Sequence, residues 1–144
     1  MAVANEIVKG VSMKLNAIFG DRYEIYQGDV AQGLSEPCFL IIVLSPSQTP
    51  FLGARRRLAI PLDVQYFPTQ EGSNSEMMDV AEQLFGALEF IELLDGSLVR
   101  ALQANYEIQD GVLHFFVTYS VFLTTQKEQT ALEDFTLNTG ITKG

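Results

Sequence analysis

The sequence predicts an α+β fold: a largely antiparallel sheet with two helices packed against it, in the order helix, three strands, helix, three strands. Three observations predict it. YEIQDGVLHFFVTYS at 106–120 runs one apolar alternation into Asp110 and Gly111 and another out of them, the strongest short-range signal for a two-residue hairpin. CFLIIVL at 38–44 is apolar at every position, as suits a central strand covered on both faces. Two stripes of helical period each precede a group of strand-like segments, which points to α+β packing and not to alternating βαβ units.

Taken in order, VANEIVKGVSMKLNAIF at 3–19 sets Ile7, Val11, Leu15 and Ile18 at helical spacing, and Gly20 and Asp21 close that helix. RYEIYQ at 22–27 is a short strand, followed by a polar turn region to Glu36 and the apolar strand from Cys38. PSQTPFLG at 46–53 reads as a loop with two prolines. Beyond it Leu58, Ile60, Leu62, Val64 and Tyr66 alternate with Ala59, Pro61, Asp63 and Gln65, a half-buried strand that Pro61 assigns to an edge or a bulge. Ser73 and Glu76 form a capping-box pattern ahead of Met77, Val80, Ala81, Leu84, Phe85 and Leu88, a stripe broad enough to lie on a sheet. A strand at 90–94 then turns at Asp95 and Gly96 into one at 97–109.

The Asp110-Gly111 turn fixes the last register. It pairs Ile108 with Leu113, Tyr106 with Phe115, Ala104 with Val117 and Leu102 with Tyr119 on an apolar face. The other face takes Glu107 with His114, Asn105 with Phe116, Gln103 with Thr118, Ala101 with Ser120 and Val99 with Phe122. Phe116 and Phe122 stand out on that mostly polar face.

A chain of 144 residues is one domain by length, expected over 1–125, with 126–144 a C-terminal tail that lacks a sustained period. The net charge of −9 argues against sequence-independent binding to nucleic acid or anionic lipid. The longest apolar run is too short to cross a bilayer, and the N-terminus has no signal-peptide hydrophobic region, so a chain that is cytoplasmic when made is expected. No phosphate loop, dinucleotide fingerprint or metal-ligand spacing occurs, so no cofactor, metal or catalytic residue is assigned and an enzyme is not expected. Cys38 and His114, the sole cysteine and the sole histidine, could form a nucleophilic pair only with each other; the simpler reading is a small core thiol and a histidine on the polar hairpin face.

RRR at 55–57 is the one basic cluster. It reads either as a solvated strand end or as a contact for an acidic neighbour. Since core parity starts only at Leu58, PSQTPFLGARRR looks like a projecting arm with Phe51 and Leu52 near its tip. Phe51, Leu52, Arg55, Arg56, Arg57, Phe116 and Phe122 are therefore the candidate interface residues. For the two phenylalanines of the hairpin the competing reading is cover by the first helix or the tail of the same chain.

DVAQGLSEPCFLIIVLSPSQ, PLDVQYFP and DGVLHFFVTY, together with NEIVKGVSMKLN, resemble a family of small tail-terminator-like proteins from phages and prophages of Firmicutes. The resemblance covers the chain up to about Thr125. It implies a virion structural protein at the head-proximal end of the tail: a hexameric ring that caps the tail tube and offers a docking surface for the head connector. The implied partners are further copies of the chain, the tail tube protein, the sheath in a contractile tail and the head–tail connector protein. DNA passes through such a ring without being read in sequence, and no membrane is involved. The alternatives are a head-completion protein on the connector side of the same virion and a dimeric binding or chaperone module.

Overall fold

The computed structural model describes residues 2–28, 33–69 and 73–124. Among them are two helices and seven strands: α1 (Val3–Phe19), β1 (Glu24–Gln27), β2 (Cys38–Val43), β3 (Ser47–Pro50), β4 (Arg55–Phe67), α2 (Asn74–Ala87), β5 (Phe90–Glu92), β6 (Leu98–Gln109) and β7 (Val112–Thr124). The sheet runs β1-β2-β4-β7-β6-β5, with β3 paired to β4. The expected α+β class and element order hold. Two features are additions to it: β3 forms where a loop was expected, and β1 lies parallel to β2, which makes the sheet mixed. The tail from Gln126 lies outside the described residues.

The chain divides into two compact units. Of the described residues, those within 1–46 and 59–120 form the first, and those within 47–58 and 121–124 form the second. β4 and β7 each contribute residues to both.

The core of the first unit follows strand parity. Ile60, Leu62, Val64 and Tyr66 of β4, Leu113, Phe115, Val117 and Tyr119 of β7, and Phe39 and Ile41 of β2 are buried, as are Ile7, Val11 and Leu15 of α1 and Met77, Val80, Ala81 and Leu84 of α2. β2 is covered on both faces, because Cys38 and Leu40 are buried as well. At the end of α1 the core takes Phe19 and leaves Ile18 exposed. The reason is an aromatic cluster: Phe19 packs 5.2 Å from Phe39 and 5.5 Å from Tyr23, and Tyr66 lies 5.1 Å from Phe39. α1 also approaches β5 closely, since a Cβ on Gly10 would come within 2.9 Å of the Glu92 carbonyl oxygen.

Pro61 does not put β4 at an edge, for β4 lies between β2 and β7. Antiparallel residues direct N–H and C=O to the same neighbour. The Pro61 carbonyl accepts from Leu44 N–H at 2.9 Å, so its missing N–H also faces that side, just past the end of β2 at Val43. The ladder toward β7 loses nothing.

The β6–β7 turn has φ 54° at Asp110 and 76° at Gly111, the left-handed pair that a tight hairpin needs. The expected register holds from Gln109–Val112 to Gln103–Thr118 and then breaks. Ala101 pairs with Tyr119, so the expected Leu102–Tyr119, Ala101–Ser120 and Val99–Phe122 pairs do not form. An unbroken register would carry Arg100 onto the core face. The bulge instead leaves Leu102 exposed, buries Val99 beside Ile91 and frees Arg100 to bond Glu89 at 3.2 Å.

α2 is held at both ends. The Ser73 hydroxyl accepts from Glu76 N–H at 3.4 Å, half of the expected capping box. The Glu76 carboxylate accepts from Tyr66 O–H, Thr69 N–H and Thr69 O–H, which ties the first turn of α2 to the end of β4. At the other end the Leu88 carbonyl, one of the carbonyls a helix cannot satisfy internally, accepts from buried Tyr119 O–H at 2.6 Å. Tyr119→Phe should therefore lower stability by about 1–3 kcal/mol, the cost of a buried acceptor left without its donor. Denaturant unfolding of the two proteins checks it; an unchanged midpoint would show that the carbonyl finds another donor.

Burial also keeps three weak acids neutral. It pushes the Cys38 thiol up to about 11, with Glu36 and Glu24 adding to the effect, and raises the Tyr66 and Tyr119 hydroxyls above the usual tyrosine range. Folded values above unfolded ones mean stability that is complete below about pH 9 and is lost as pH rises toward 11. A thermal midpoint that stays level across pH 9–11 would contradict this.

Candidate assembly surface

The second unit brings three of the expected interface residues together. β3 and the start of β4 make a hairpin whose tip is Phe51–Ala54: Phe51 N–H donates to the Arg55 carbonyl at 2.9 Å, and Arg55 N–H to that of Leu52 at 3.2 Å. The Phe51 ring lies 4.9 Å from the ring of Phe122, which comes from the end of β7. The Arg55 guanidinium sits over both, 4.5 Å from the Phe122 centroid and 5.4 Å from that of Phe51. Cation–π contacts at such exposed sites are worth roughly 0.5–1 kcal/mol each, enough to hold the side chains in one arrangement. All the same, Phe51, Phe122 and Leu52 remain 46%, 47% and 73% exposed. Arg56 and Arg57 are half-buried. Hence the arm presents an ordered apolar cluster with positive charge attached, and contact among the described residues covers only part of it.

Phe116 belongs elsewhere. It lies in the first unit, on the sheet face away from the helices, half-buried and stacked at 6.2 Å on the ring of His114. His114 is opposite Glu107 as expected, but its Nδ1 shares a hydrogen bond of 2.9 Å with Oδ2 of Asp63 on β4. Gln65 Nε2 donates to that same oxygen at 3.0 Å. Asp63 is the one buried charged residue among those described, and its Oδ1 has no partner among them.

Sequence reading missed this pair, because it depends on β4 and β7 being neighbours, which no local pattern states. The available signal was an aspartate at 63 inside a strand otherwise flanked by Pro61 and Gln65. The arrangement does not make a nucleophilic site: Cys38 is buried with its thiol pushed up to about 11, and His114 is engaged by Asp63. Among the described residues no three His, Cys, Asp or Glu side chains are placed to hold a metal, and no helix is long and apolar enough to cross a membrane.

His114→Ala removes one of two donors from a carboxylate that stays buried. It should cost about 1–3 kcal/mol in denaturant unfolding, and combining it with Asp63→Ala, which removes the charge itself, should cost less than the two single losses added together. Simple additivity in that cycle would mean the two side chains are not coupled.

Against known proteins, no curated sequence matches. One solved structure aligns with a TM-score of 0.47 at 13% identity, over 86% of this chain and 97% of the other, a likeness too loose to carry an argument. The sequence profile described as phage tail terminator protein matches residues 6–131, which include α1 from Glu6 onward, α2, the seven described strands and the arm. On that match the chain belongs to the phage tail terminator protein family.

Proposed function

We propose that the chain caps the tail tube as a homo-oligomeric ring of six and offers one face of that ring to the head connector. Membership of the family supports a structural role in the phage tail. The observation that carries the finer reading is the arm: Phe51, Arg55 and Phe122 fixed against one another yet about half exposed, with Leu52 beyond them at the tip. Ordered apolar surface that the described residues leave uncovered is what a subunit keeps for assembly. The arginines serve a second need, since a chain of net charge −9 repeated around a ring must limit repulsion between identical neighbours.

Native mass measurement of the purified chain, followed by imaging of assembled particles, tests the proposal. Six copies, placed where tail meets head, is the expected result. A stable dimer would favour a binding module, and a ring found on the head side of the connector would make the chain a head-completion protein.

Changing Arg55, Arg56 and Arg57 together to Gln should move the population from ring toward monomer. Each exposed charge pair is worth only about 0–1 kcal/mol, but every interface of the ring repeats it. The gap between this variant and the parent should be widest at low ionic strength and close as salt screens the parent's own attraction. Equal ring populations at every salt concentration would remove the arginines from the contact and leave Phe51 and Leu52 as its anchors.

A further inference from the structure

An arm that holds a neighbour needs a surface to receive it, and charge divides the chain into donor and acceptor. Residues 47–58 hold three arginines and no carboxylate; residues 1–46 and 59–120 hold four Lys or Arg against fifteen Asp or Glu, net −11. Within that acidic part, α2 has no basic residue. Its exposed Phe85 packs edge-on against Phe115 at 5.0 Å and Tyr106 at 6.0 Å, and keeps 42% of its surface open. Glu82 lies three residues before Phe85 on α2, and Glu89, just past the helix end, lines the same groove as Phe85.

Beside Phe85 a groove of about 220 Å³ opens between α2 and β6, floored by Leu84, Leu88, Ala104 and Val117. Glu89, paired with Arg100, stands at its rim. The sheet is unfinished there. β5 pairs with β6 only over Leu98–Arg100, and among the described residues no strand borders 103–109 on that side. In consequence Ala104, Tyr106 and Ile108 have core parity but are half-buried, while Val117, Phe115 and Leu113, their partners on β7, are fully buried.

We propose that the groove between α2 and β6 receives the arm of a second copy of this chain, with Phe51 and Leu52 entering beside Phe85 and the arginines facing Glu82 and Glu89. The inference rests on the ring reading above. Donor and acceptor are different patches, so the contact is heterologous, the kind that closes into a ring when its rotation allows. The apolar tip meets the half-covered apolar surface of the first unit, and the carboxylate-free segment meets the helix without a cation.

Charge reversal tests the assignment. Glu82→Lys with Glu89→Lys makes the acceptor basic, and Arg55→Glu, Arg56→Glu and Arg57→Glu together make the arm acidic. Each variant alone should lose the ring by native mass while keeping the folded monomer's unfolding midpoint. Mixed one to one they should regain it, because in alternation every arm meets an acceptor of opposite sign. The acceptor variant alters exposed side chains only, so it decides the matter even if the arm variant fails to fold. A full ring in the acceptor variant, or no recovery on mixing two folded variants, overturns the groove as acceptor and leaves the ring reading standing. A parent chain with no oligomer at all overturns both.

Discussion

The length of two strands constrains everything else in this chain. β4 and β7 have thirteen residues each, which at about 3.3 Å per residue is roughly 43 Å of extended backbone. The helices that cover the core have fourteen and seventeen residues, or about 21–26 Å at 1.5 Å each. Helices of that size cannot cover strands of that length, and the alternation of β4 shows where cover ends: Ile60, Leu62, Val64 and Tyr66 are buried, Leu58 is partly buried, and Arg55 is exposed. The far ends of the strands need another kind of stabilisation. They find it in a paired hairpin and in the packing of Phe51, Phe122 and Arg55.

Local constraints were legible in the sequence and non-local ones were not. The Asp110-Gly111 turn dictates its own register over seven residue pairs, because a slip by one would turn every side chain to the other face. The bulge that ends the agreement was visible in principle as an arginine on core parity at 100, in conflict with the pattern around it. Ile18 and Phe19 could each have closed the core end of α1 by spacing alone; aromatic partners at Tyr23, four residues on, and at Phe39, twenty residues on, decided for Phe19. The same limit explains the candidate interface residues. Phe51 and Phe122 were recognised separately as stray apolar residues, but that they touch follows from β4 lying beside β7, a fact of topology. Phe116, judged alike by parity, proved to belong with His114 and Asp63.

The Asp63–His114 pair lies on the sheet face without helices, where burial is incomplete and polar groups can be partly satisfied. Burying a carboxylate is unfavourable unless hydrogen bonds replace the water it loses, and here two donors serve Oδ2 while Oδ1 has none among the described residues. An apolar pair in the same place would cost less. The pair is thus poor evidence of stabilisation, and its effect is to fix side-chain position across β4 and β7: the ring of Phe116 rests on an imidazole held by a carboxylate.

Charge is divided more unevenly than composition suggests. The net −9 of the whole chain combines an arm of net +3, a first unit of net −11 and a net −1 from residues 121–144. Within one molecule, exposed charges contribute little to folding, since each exposed pair is worth only about 0–1 kcal/mol. Between molecules their separation sets orientation: like patches repel, so two copies meeting acid to acid or arm to arm gain nothing, while arm to acid is favoured. A preference of this kind selects heterologous over isologous contact before any detail of packing is specified, and a tail-capping ring requires that selection. In the proposed ring the apolar residues then supply affinity at a contact whose direction the charges choose.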